Sequence, residues 1–346
     1  MAQEVSRRIF LLGAAGGLGA VALTACGAGN SSGSSGGGSS SDKYPVTIKH
    51  AFGETEIKKK PKRIASISWV NQDVLIALGI KPVGMAKNTY GGDSEGYLPW
   101  TKEALDKLKS GDAPKLYDET DGINFEGVAG TKPDLIIGVY SGMTQDDYNK
   151  LKQIAPTIAY PEKPYGTPLD QTMTMIGQAV GQEDKAKDLY NQMIDQVKQE
   201  GGKYPDLKDK TFSYTNFTSD TSKFSLYTPS DIRVQLIEDL GMKLDDSVKT
   251  LTQNSSEFFV DISAEKAKDL KAQVMLAIVD TDTTTAKIKG DKLLKHIPAV
   301  ADNTTAYYSD QQLNMAVSAV STLSVPWAIS KGWVGTVADA AKNLKS

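Results

Sequence analysis

Short apolar runs alternate with stretches of helical periodicity along most of the chain. In the first half, an apolar run over residues 64–68 precedes helical spacing over 73–78, which Gly79 ends, and another run begins at Pro82. The same order recurs between residues 125 and 160. Strands that alternate with helices in this way predict a mostly parallel sheet with helices on its faces.

A second series of the same kind begins near Thr211. It comprises predicted strands over residues 212–216, 224–227 and 274–279 and predicted helices over 232–240 and 264–270. Between the two series lies the longest helical pattern of the chain, in which Gly177 and Gly181 are possible bends. We therefore predict an α/β fold of two Rossmann-like lobes joined by a single long α-helix.

The length of the chain agrees with two lobes. About 300 residues follow the N-terminal segment, more than one hydrophobic core usually serves. We assign the N-terminal lobe to residues 43–167, the connecting helix to 168–202 and the C-terminal lobe to 203–346. An unbroken helix of some 30 residues would be about 45 Å long and would restrict the lobes to small closing movements.

The N-terminal 25 residues are typical of an export signal. Ser6-Arg7-Arg8-Ile9-Phe10-Leu11 precedes an apolar run that contains four glycines and is too short to span a bilayer comfortably. The paired arginines resemble a twin-arginine signal, although the general secretion route also requires basic residues at this place.

Cys26 is the single cysteine of the 346 residues, which excludes an intramolecular disulfide and a cysteine-rich metal site. It follows Leu23-Thr24-Ala25, and this arrangement resembles a bacterial lipobox in which the cysteine is lipidated. The Ser/Gly-rich residues that follow, up to residue 42, predict a flexible tether. We thus expect a lipid-anchored protein on the extracytoplasmic face of a cell membrane.

Charge and histidine content narrow the classes of partner. The formal net charge of −3 argues against nucleic acid, and no basic stripe stands out along the chain. A zinc or manganese receptor would need several histidines that converge with carboxylates, whereas the chain contains two, His50 and His296. The composition otherwise describes an ordinary globular protein, with 40% hydrophobic and 23% charged residues.

Several strings together resemble the siderophore, haem and cobalamin binding proteins that have one connecting helix, known as class III or cluster A-II, over about residues 46–344. They are Pro61-Lys62-Arg63-Ile64-Ala65-Ser66, the run from Asp73 to Gly84, Asn124-Phe125-Glu126-Gly127-Val128-Ala129, Lys132-Pro133-Asp134-Leu135-Ile136, and Ile297-Pro298-Ala299-Val300 before Tyr307-Tyr308. Leu98-Pro99-Trp100 and Tyr227 with Asp231 and Arg233 are similar to the ferric-siderophore receptors of actinobacteria in particular.

This resemblance implies the extracytoplasmic binding protein of an ABC importer, with no enzymatic activity and no resident cofactor or metal. Its expected partners are a ferric siderophore and the permease subunits, and we expect a monomer. Glu126 and Glu265 match the family's two lobe-surface glutamates, which pair with permease arginines. The alternative for each is a solvated carboxylate at a helix N-terminus, favoured there by the helix dipole.

A bulky ferric complex calls for aromatic walls and a cation, because its iron arrives already coordinated. Arg233 opens a helix after a strand, at the carboxyl end where α/β units bind ligands, although it could also be a surface arginine paired with Asp231 or Glu238. The aromatic candidates chosen by the same rule, or by their place near a glycine-rich rim, are Trp69, Tyr90, Tyr97, Trp100, Tyr140, Tyr214, Phe217 and Tyr227.

Other readings remain open. Haem could be ligated by one histidine and one tyrosine, although neither His50 nor His296 is clearly in the crevice. Cobalamin also needs a broad aromatic cleft. A secreted hydrolase would need a nucleophile with a supporting base, and the Gly-x-Ser-x-Gly string around Ser35 has no flanking strand or helix.

Overall fold

The computed structural model describes residues 43–344 apart from 110 and 281, and the side chains of 282 and 283 are also left out. The predicted signal segment, Cys26 and the tether lie outside the described residues. Both lobes belong to one unit, which spans residues 40–346.

The N-terminal lobe begins with an antiparallel hairpin and continues as alternating strands and helices. Its elements are β1 (Val46–His50), β2 (Gly53–Ile57), β3 (Ile64–Ser66), α1 (Asn71–Ala77), β4 (Gly84–Ala86), α2 (Pro99–Lys107), β5 (Lys115–Tyr117), α3 (Phe125–Gly130), β6 (Leu135–Gly138), α4 (Gln145–Ile154) and β7 (Thr157–Ala159). Among the described residues, five strands form a parallel sheet in the order β5-β4-β3-β6-β7. The strands β3, β4, β6 and β7 are buried throughout, as expected for a sheet covered on both faces.

Two helices follow, α5 (Leu169–Ala179) and α6 (Glu183–Gly202). The prediction of one helix over 168–202 is corrected here, because Gly181 has φ +70 and turns the chain between them. The long helix that leads into the C-terminal lobe is α6, with 20 residues and a length of about 30 Å.

The C-terminal lobe has a mixed sheet. Its elements are β8 (Thr211–Phe217), β9 (Lys223–Tyr227), α7 (Ile232–Asp239), β10 (Lys243–Leu244), α8 (Asp246–Thr252), β11 (Phe259–Ser263), β12 (Val274–Val279), α9 (Asp282–Gly290), α10 (Pro298–Ala301), β13 (Thr305–Tyr308), α11 (Gln311–Ser318), α12 (Ser324–Ser330) and α13 (Trp333–Ala341). The strand order is β11-β9-β8-β12-β13, with β10 beside the start of β8. The pairs β8–β12 and β12–β13 are parallel, whereas β9 is antiparallel to both β8 and β11. The predicted helix at 264–270 is a 3-10 helix, Ala264–Asp269.

The fold class is confirmed, with two α/β lobes and mostly parallel sheets. One hydrophobic cluster runs from α1 through α5 and α6 into the C-terminal sheet, with Val74, Ile176, Val197 and Phe212 among its buried members. Both lobes therefore share a continuous core beside the connecting helix. The carboxyl ends of β3, β4 and β5 border a cavity that Met315 of the C-terminal lobe also lines.

Candidate ligand cleft

A cavity of about 220 Å³ lies between the lobes at the carboxyl ends of the N-terminal strands. Residues that follow β3, β4 and β5 form one wall, Met315 of α11 borders it from the C-terminal lobe, and Tyr165 from the segment before α5 completes it. The lining comprises Ser68, Trp69, Ala86, Lys87, Asn88, Thr89, Tyr90, Glu119, Thr120, Tyr165 and Met315.

A strained turn between β3 and α1 presents Trp69 to this cavity. Ser68 and Val70 have positive φ values of 58° and 68°, which is unfavourable for a residue with a side chain and most so for β-branched valine. Trp69 between them is 44% exposed, although it is a large apolar side chain. Strain of this kind persists only where the surroundings hold it in place.

The buried amide of Asn71 holds one side of the turn. Its Nδ2 donates to the carbonyls of Ile67, Trp69 and Tyr140, at 2.9, 3.0 and 2.9 Å. Its Oδ1 accepts the backbone N–H of Tyr140 at 3.0 Å. Asn71 thus ties the turn after β3 to the end of β6.

Glu119 holds the other side. Its Oε2 accepts the backbone N–H of Ser68 at 2.8 Å, while its Oε1 is buried with no partner among the described residues. Burial raises the pKa of this carboxyl to about 7, and the hydrogen bond from Ser68 opposes that shift. A carboxyl group that titrates near neutral pH therefore supports the wall that carries Trp69.

Aromatic rings continue from Trp69 across the space between the lobes. The ring of Tyr165 lies 5.9 Å from Trp69, 5.7 Å from Tyr140 and 6.2 Å from Phe258, measured between centroids. Phe258 precedes β11 of the C-terminal lobe. These separations are those of interacting aromatic pairs, so the cleft has a continuous aromatic wall.

A buried guanidinium lies at the inner end of this wall. Nη1 of Arg233 is 2.6 Å from Oδ2 of Asp231, and the two side chains are 7% and 1% exposed. The Cζ of Arg233 lies 4.2 Å from the ring centroid of Tyr227, a cation–π distance. Nε of Arg233 and the hydroxyl of Tyr214 are buried without hydrogen-bond partners among the described residues.

Arg233 is charged in this position. Burial alone would lower its pKa. The Asp231 carboxylate and the surrounding tyrosine hydroxyls outweigh this effect and raise the pKa above its ordinary value. Tyr140 has a pKa raised by burial and is electrostatically coupled to the same guanidinium. A fixed cation with an unused N–H suits an anionic oxygen of a ligand.

The structure brings most of the predicted ligand residues together. Trp69 and Tyr90 border the cavity, and Tyr90 is 40% exposed. Tyr140, Tyr227 and Arg233 form the buried inner group, with the ring of Tyr214 5.5 Å from that of Tyr227. Arg233 pairs with Asp231 but is buried and not at the surface, and its role in ligand binding stays a prediction.

Three predicted residues lie elsewhere. Trp100 is buried, donates its indole N–H to Asp73 at 2.7 Å and packs on Trp327 at 5.4 Å. Phe217 stacks on Phe224 in the core of the C-terminal lobe, at 5.2 Å. The hydroxyl of Tyr97 donates to the carbonyl of Pro114, close to the amino end of β5.

The sequence analysis did not select the cavity-lining residues Lys87, Asn88, Glu119, Tyr165 and Met315, nor Asn71 and Phe258, which contact that lining. Lys87, Asn88 and Glu119 follow β4 and β5 directly, so the rule that ligands bind at the carboxyl ends of strands could have found them. No local pattern marks Tyr165, Phe258 or Met315, because only the packing of the two lobes brings them to the cleft.

The two docking candidates are exposed carboxylates near helix N-termini. Glu126 lies in the first turn of α3, whose N-cap Asn124 accepts the backbone N–H of Gly127 at 2.7 Å. Glu265 lies in the first turn of the 3-10 helix Ala264–Asp269, capped by Ser263. Neither glutamate forms an ion pair within the part of the chain that the structure describes.

Neither histidine borders the cavity. His50 is buried in the hairpin, where its Nε2 lies 3.0 Å from the hydroxyl of Thr55 and burial lowers its pKa. His296 is exposed at the end of the 3-10 helix Leu294–His296, which does not line the cavity. Within residues 43–344, aside from the left-out positions, no group of three or more potential metal ligands was found, and no helix is long and apolar enough to cross a membrane.

Comparisons with known proteins agree with this geometry. Residues 64–312 match the model of a family described as periplasmic binding protein. The chain is 34% identical over 257 residues to the "Probable siderophore-binding lipoprotein YfiY" of Bacillus subtilis, which covers 73% of this chain and 74% of that protein. It is 26% identical to the "Iron(3+)-hydroxamate-binding protein YxeB" of the same organism, over 81% of this chain and 83% of that protein.

Solved structures give the same assignment. The structure of PiaA from Streptococcus pneumoniae in complex with ferrichrome is 36% identical, has a TM-score of 0.81, and is matched over 87% of this chain and 100% of that chain. A periplasmic solute binding protein of Mycobacterium smegmatis is 25% identical with a TM-score of 0.71, over 86% of this chain and 98% of that one. The chain therefore belongs to the periplasmic binding protein family, the non-enzymatic ligand-binding proteins of ABC importers.

Proposed function

We propose that this protein captures a ferric siderophore between its lobes and delivers it to an ABC permease. The observation that carries the proposal is the aromatic wall from Trp69 through Tyr165 to Phe258. Tyr165 also contacts Tyr140, which lies beside a buried arginine whose Nε–H is unused. The named ligands of relatives, ferrichrome for PiaA and ferric hydroxamate for YxeB, support the same class of ligand.

The cleft recognises the ferric complex through two kinds of contact, aromatic packing and a charged hydrogen bond. The rings of Trp69, Tyr90 and Tyr165 contact the organic faces of the complex, where burial of apolar surface supplies most of the affinity. The Arg233 guanidinium donates to an iron-bound oxygen, whose partial negative charge makes the hydrogen bond charge-assisted. No residue of the chain needs to replace a ligand of the iron.

Tryptophan fluorescence provides the direct test, because Trp69 lies on the cavity wall. We expect saturable quenching by ferrichrome or another ferric hydroxamate, with ferric citrate and a ferric catecholate as comparison ligands from the same class. The variant Trp69→Phe should lose most of the signal while it keeps binding in calorimetry. Absence of binding to every ferric siderophore would contradict the proposal.

Haem and cobalamin serve as controls in the same titration. Haem ligation would require a histidine or tyrosine at the iron, and both histidines lie away from the cavity. Saturation by haem alone, with a Soret shift that is lost in a His50→Ala or Tyr140→Phe variant, would replace the siderophore by haem. Saturation by cobalamin alone would replace it by a corrinoid.

We also propose that the protein is exported, by the twin-arginine or the general route, and anchored as a monomer through a lipid on Cys26. The relatives named lipoproteins support this, as does the position of Cys26 after Leu23-Thr24-Ala25. Metabolic labelling with a palmitate analogue should mark the wild-type protein and not Cys26→Ser. Arg7→Lys/Arg8→Lys should block export only if the twin-arginine route is used.

Docking on the permease is proposed to use Glu126 and Glu265, one on each lobe. Both are exposed and neither has an ion-pair partner within the described chain, so each is available to an arginine of another subunit. Because docking and ligand capture use different groups, a docking variant should keep its ligand affinity.

The charge-reversal variant Glu126→Lys/Glu265→Lys is expected to abolish siderophore-dependent uptake in cells while fluorescence titration gives the wild-type dissociation constant. Glu103→Lys/Glu238→Lys reverses one exposed glutamate on each lobe elsewhere and is the matched control, with uptake expected near wild type. Equal loss in both variants would assign the effect to net charge, and a loss of ligand affinity would place the two glutamates in the cleft.

A further inference from the structure

The segment from Lys58 to Arg63 carries a concentrated positive charge. It reads Lys-Lys-Lys-Pro-Lys-Arg, five cations and no acid in six residues, within a chain of net charge −3. All five charged side chains are exposed. The expectation that no basic cluster stands out along the sequence is therefore wrong for this lobe, because the overall balance conceals a local excess.

The sheet adds further cations to the same surface. Arg63 precedes β3, Lys81 precedes β4, Lys115 opens β5 and Lys132 precedes β6. These strands are parallel neighbours, so their amino ends lie along one edge that is about 14 Å wide at the usual strand spacing. We call this surface the basic face; it comprises Lys58, Lys59, Lys60, Lys62, Arg63, Lys81, Lys115 and Lys132.

The carboxylates beside these charges are few, and two of them, Glu56 and Asp134, border one depression with Lys58 and Lys59. Asp134 accepts the backbone N–H groups of Lys62 and Arg63, both at 2.9 Å, so these contacts fix the loop through its backbone. Arg63, Lys81 and Lys115 border one depression with Asp112. No ion pair in the described part of the chain involves the ammonium groups of Lys58, Lys59 or Lys62.

The chain enters the folded unit beside this face. Val46 is the cross-strand partner of Ile57 in the antiparallel hairpin, so the residues before Val46 lie next to Lys58. Lys43 in that segment is exposed and adds one more cation. A lipid attached at Cys26 would therefore tether the molecule from the edge of the basic face.

The cleft lies at the opposite end of the same sheet. Trp69 follows β3 and Glu119 follows β5, so both are at carboxyl ends, whereas the basic face is at the amino ends. Glu126, at the start of α3 after β5, also lies toward the cleft end. The basic face and the permease-docking surface thus cannot rest on one membrane plane at the same time.

We propose that the basic face binds the phosphodiester headgroups of an anionic membrane surface and holds the undocked receptor with its cleft turned away from the bilayer. The proposal rests on the proposed anchoring of the protein to a membrane. Lysines on flexible stems, spread over a surface and not gathered in one pocket, suit a diffuse layer of phosphates. Docking on the permease then requires release from this contact and rotation of the receptor.

The test uses the chain from Gly27 to Ser346, which lacks the signal segment and the lipid but keeps the whole unit of residues 40–346. We expect co-sedimentation with vesicles that contain phosphatidylglycerol and none with pure phosphatidylcholine, and loss of binding at high salt. Lys58→Gln/Lys59→Gln/Lys60→Gln/Lys62→Gln should lower the partition coefficient about tenfold or more.

A matched control has the same change in charge on the other lobe. Lys287→Gln/Lys289→Gln/Lys292→Gln/Lys295→Gln removes four exposed lysines from a short segment and should bind vesicles as the unmodified chain does. Equal loss in the two variants would overturn the proposal. Competition by inorganic polyphosphate or duplex DNA at low concentration, with weak vesicle binding, would overturn it in favour of a soluble polyanion.

Orientation is read with an environment-sensitive dye on a single engineered cysteine. Asp112→Cys places the dye at the amino end of β5, and Thr120→Cys places it at the cleft end of the same region. We expect a blue shift on anionic vesicles for position 112 only; a shift at 120 would overturn the orientation. Siderophore titration of the lysine variants separates this outcome from failure of the proposed function, since these variants should bind ligand normally.

Discussion

At the scale of single residues, the cleft depends on buried polar groups more than on its exposed rings. Asn71 and Glu119 hold the strained turn that carries Trp69, and Asp231 holds the guanidinium of Arg233. The rule that ligands bind at the carboxyl ends of strands selected Trp69 and Tyr140, but it also selected Phe217. That ring points into the lobe core because successive side chains of a strand face opposite sides.

Arg233→Lys is expected to weaken siderophore binding about tenfold or more, because lysine keeps the charge but lacks the planar fork and the unused Nε–H. Fluorescence titration measures the change. Arg63→Lys is the control, since Arg63 is exposed on the basic face and donates to the carbonyls of Thr131 and Lys132. If the two variants lost the same affinity, a specific contact from Arg233 would be ruled out.

Glu119 should make stability depend on pH in a defined window. Its pKa is about 7 in the folded protein against 4.5 when unfolded, so the folded state binds the extra proton between these values. The contribution of this proton to the free energy of unfolding is complete below pH 4.5 and is lost as the pH rises through 7. The melting temperature should therefore fall between pH 5 and 8 relative to Glu119→Gln.

Thermal denaturation of both proteins across this range gives the difference curve, in which the opposite contribution of buried His50 cancels. The slope of melting temperature against pH should differ most between the wild-type protein and Glu119→Gln from pH 5 to pH 7. Parallel curves would show that Glu119 titrates near its ordinary value and is not buried as described.

At the scale of elements, the connecting segment shows where periodicity fails. The apolar spacing over 168–202 is continuous, yet the structure divides it into α5 and α6, which pack against each other. Gly177 permits this packing, because a Cβ there would lie 2.7 Å from Cβ of Ala186 and 2.9 Å from Cα of Glu183. Periodicity reports which face is buried but not whether the partner is another turn of the same segment.

Gly177→Ala is expected to destabilise the protein by about 1–3 kcal/mol, since the added methyl group overpacks the contact between α5 and α6. Chemical denaturation measures the free energy of unfolding. Gly202→Ala, in the last turn of α6 with nothing within 4 Å of the new Cβ, is the control and should be neutral or slightly stabilising. Equal effects at both positions would contradict the close packing of the two helices.

At the scale of the whole molecule, the lobes are joined by more than the connecting helix. The buried carboxylate of Asp73 in α1 accepts from Trp100 and Thr101 of its own lobe and from the hydroxyl of Ser321 of the other lobe, at 2.7, 2.8 and 2.8 Å. The indole rings of Trp100 and Trp327 lie 5.4 Å apart across the same joint. Trp100 therefore serves the interface between the lobes and not the ligand wall.

These joints should restrict closure on ligand binding. Spin labels at Asp146→Cys on α4 and Lys268→Cys in the C-terminal lobe, in the chain from Gly27 onward, are expected to change their separation by less than about 2 Å when the siderophore binds. Ser321→Ala removes one donor from Asp73 and should broaden the distance distribution. A large ligand-induced shift in the unmodified joint would contradict a preformed cleft.

The sequence by itself determined the alternation of strands and helices, the two-lobe fold and the family, because periodicity and short strings are local properties of the chain. Of the ligand residues that it predicted, Trp69 and Tyr90 border the cavity, and Tyr140, Tyr227 and Arg233 form a buried group. Each belongs to a segment whose relation to a strand end can be read directly.

Only the tertiary structure decided which aromatic rings face ligand and which face core, that Tyr165 and Phe258 link the lobes, and that the cations of the N-terminal lobe share one face opposite the cleft. These features depend on sheet order and on how the lobes pack, which bring together residues up to 248 positions apart, as in Asp73 and Ser321. No local sequence pattern reveals a contact between residues so far apart in the chain, because such contacts form only when the shared core folds.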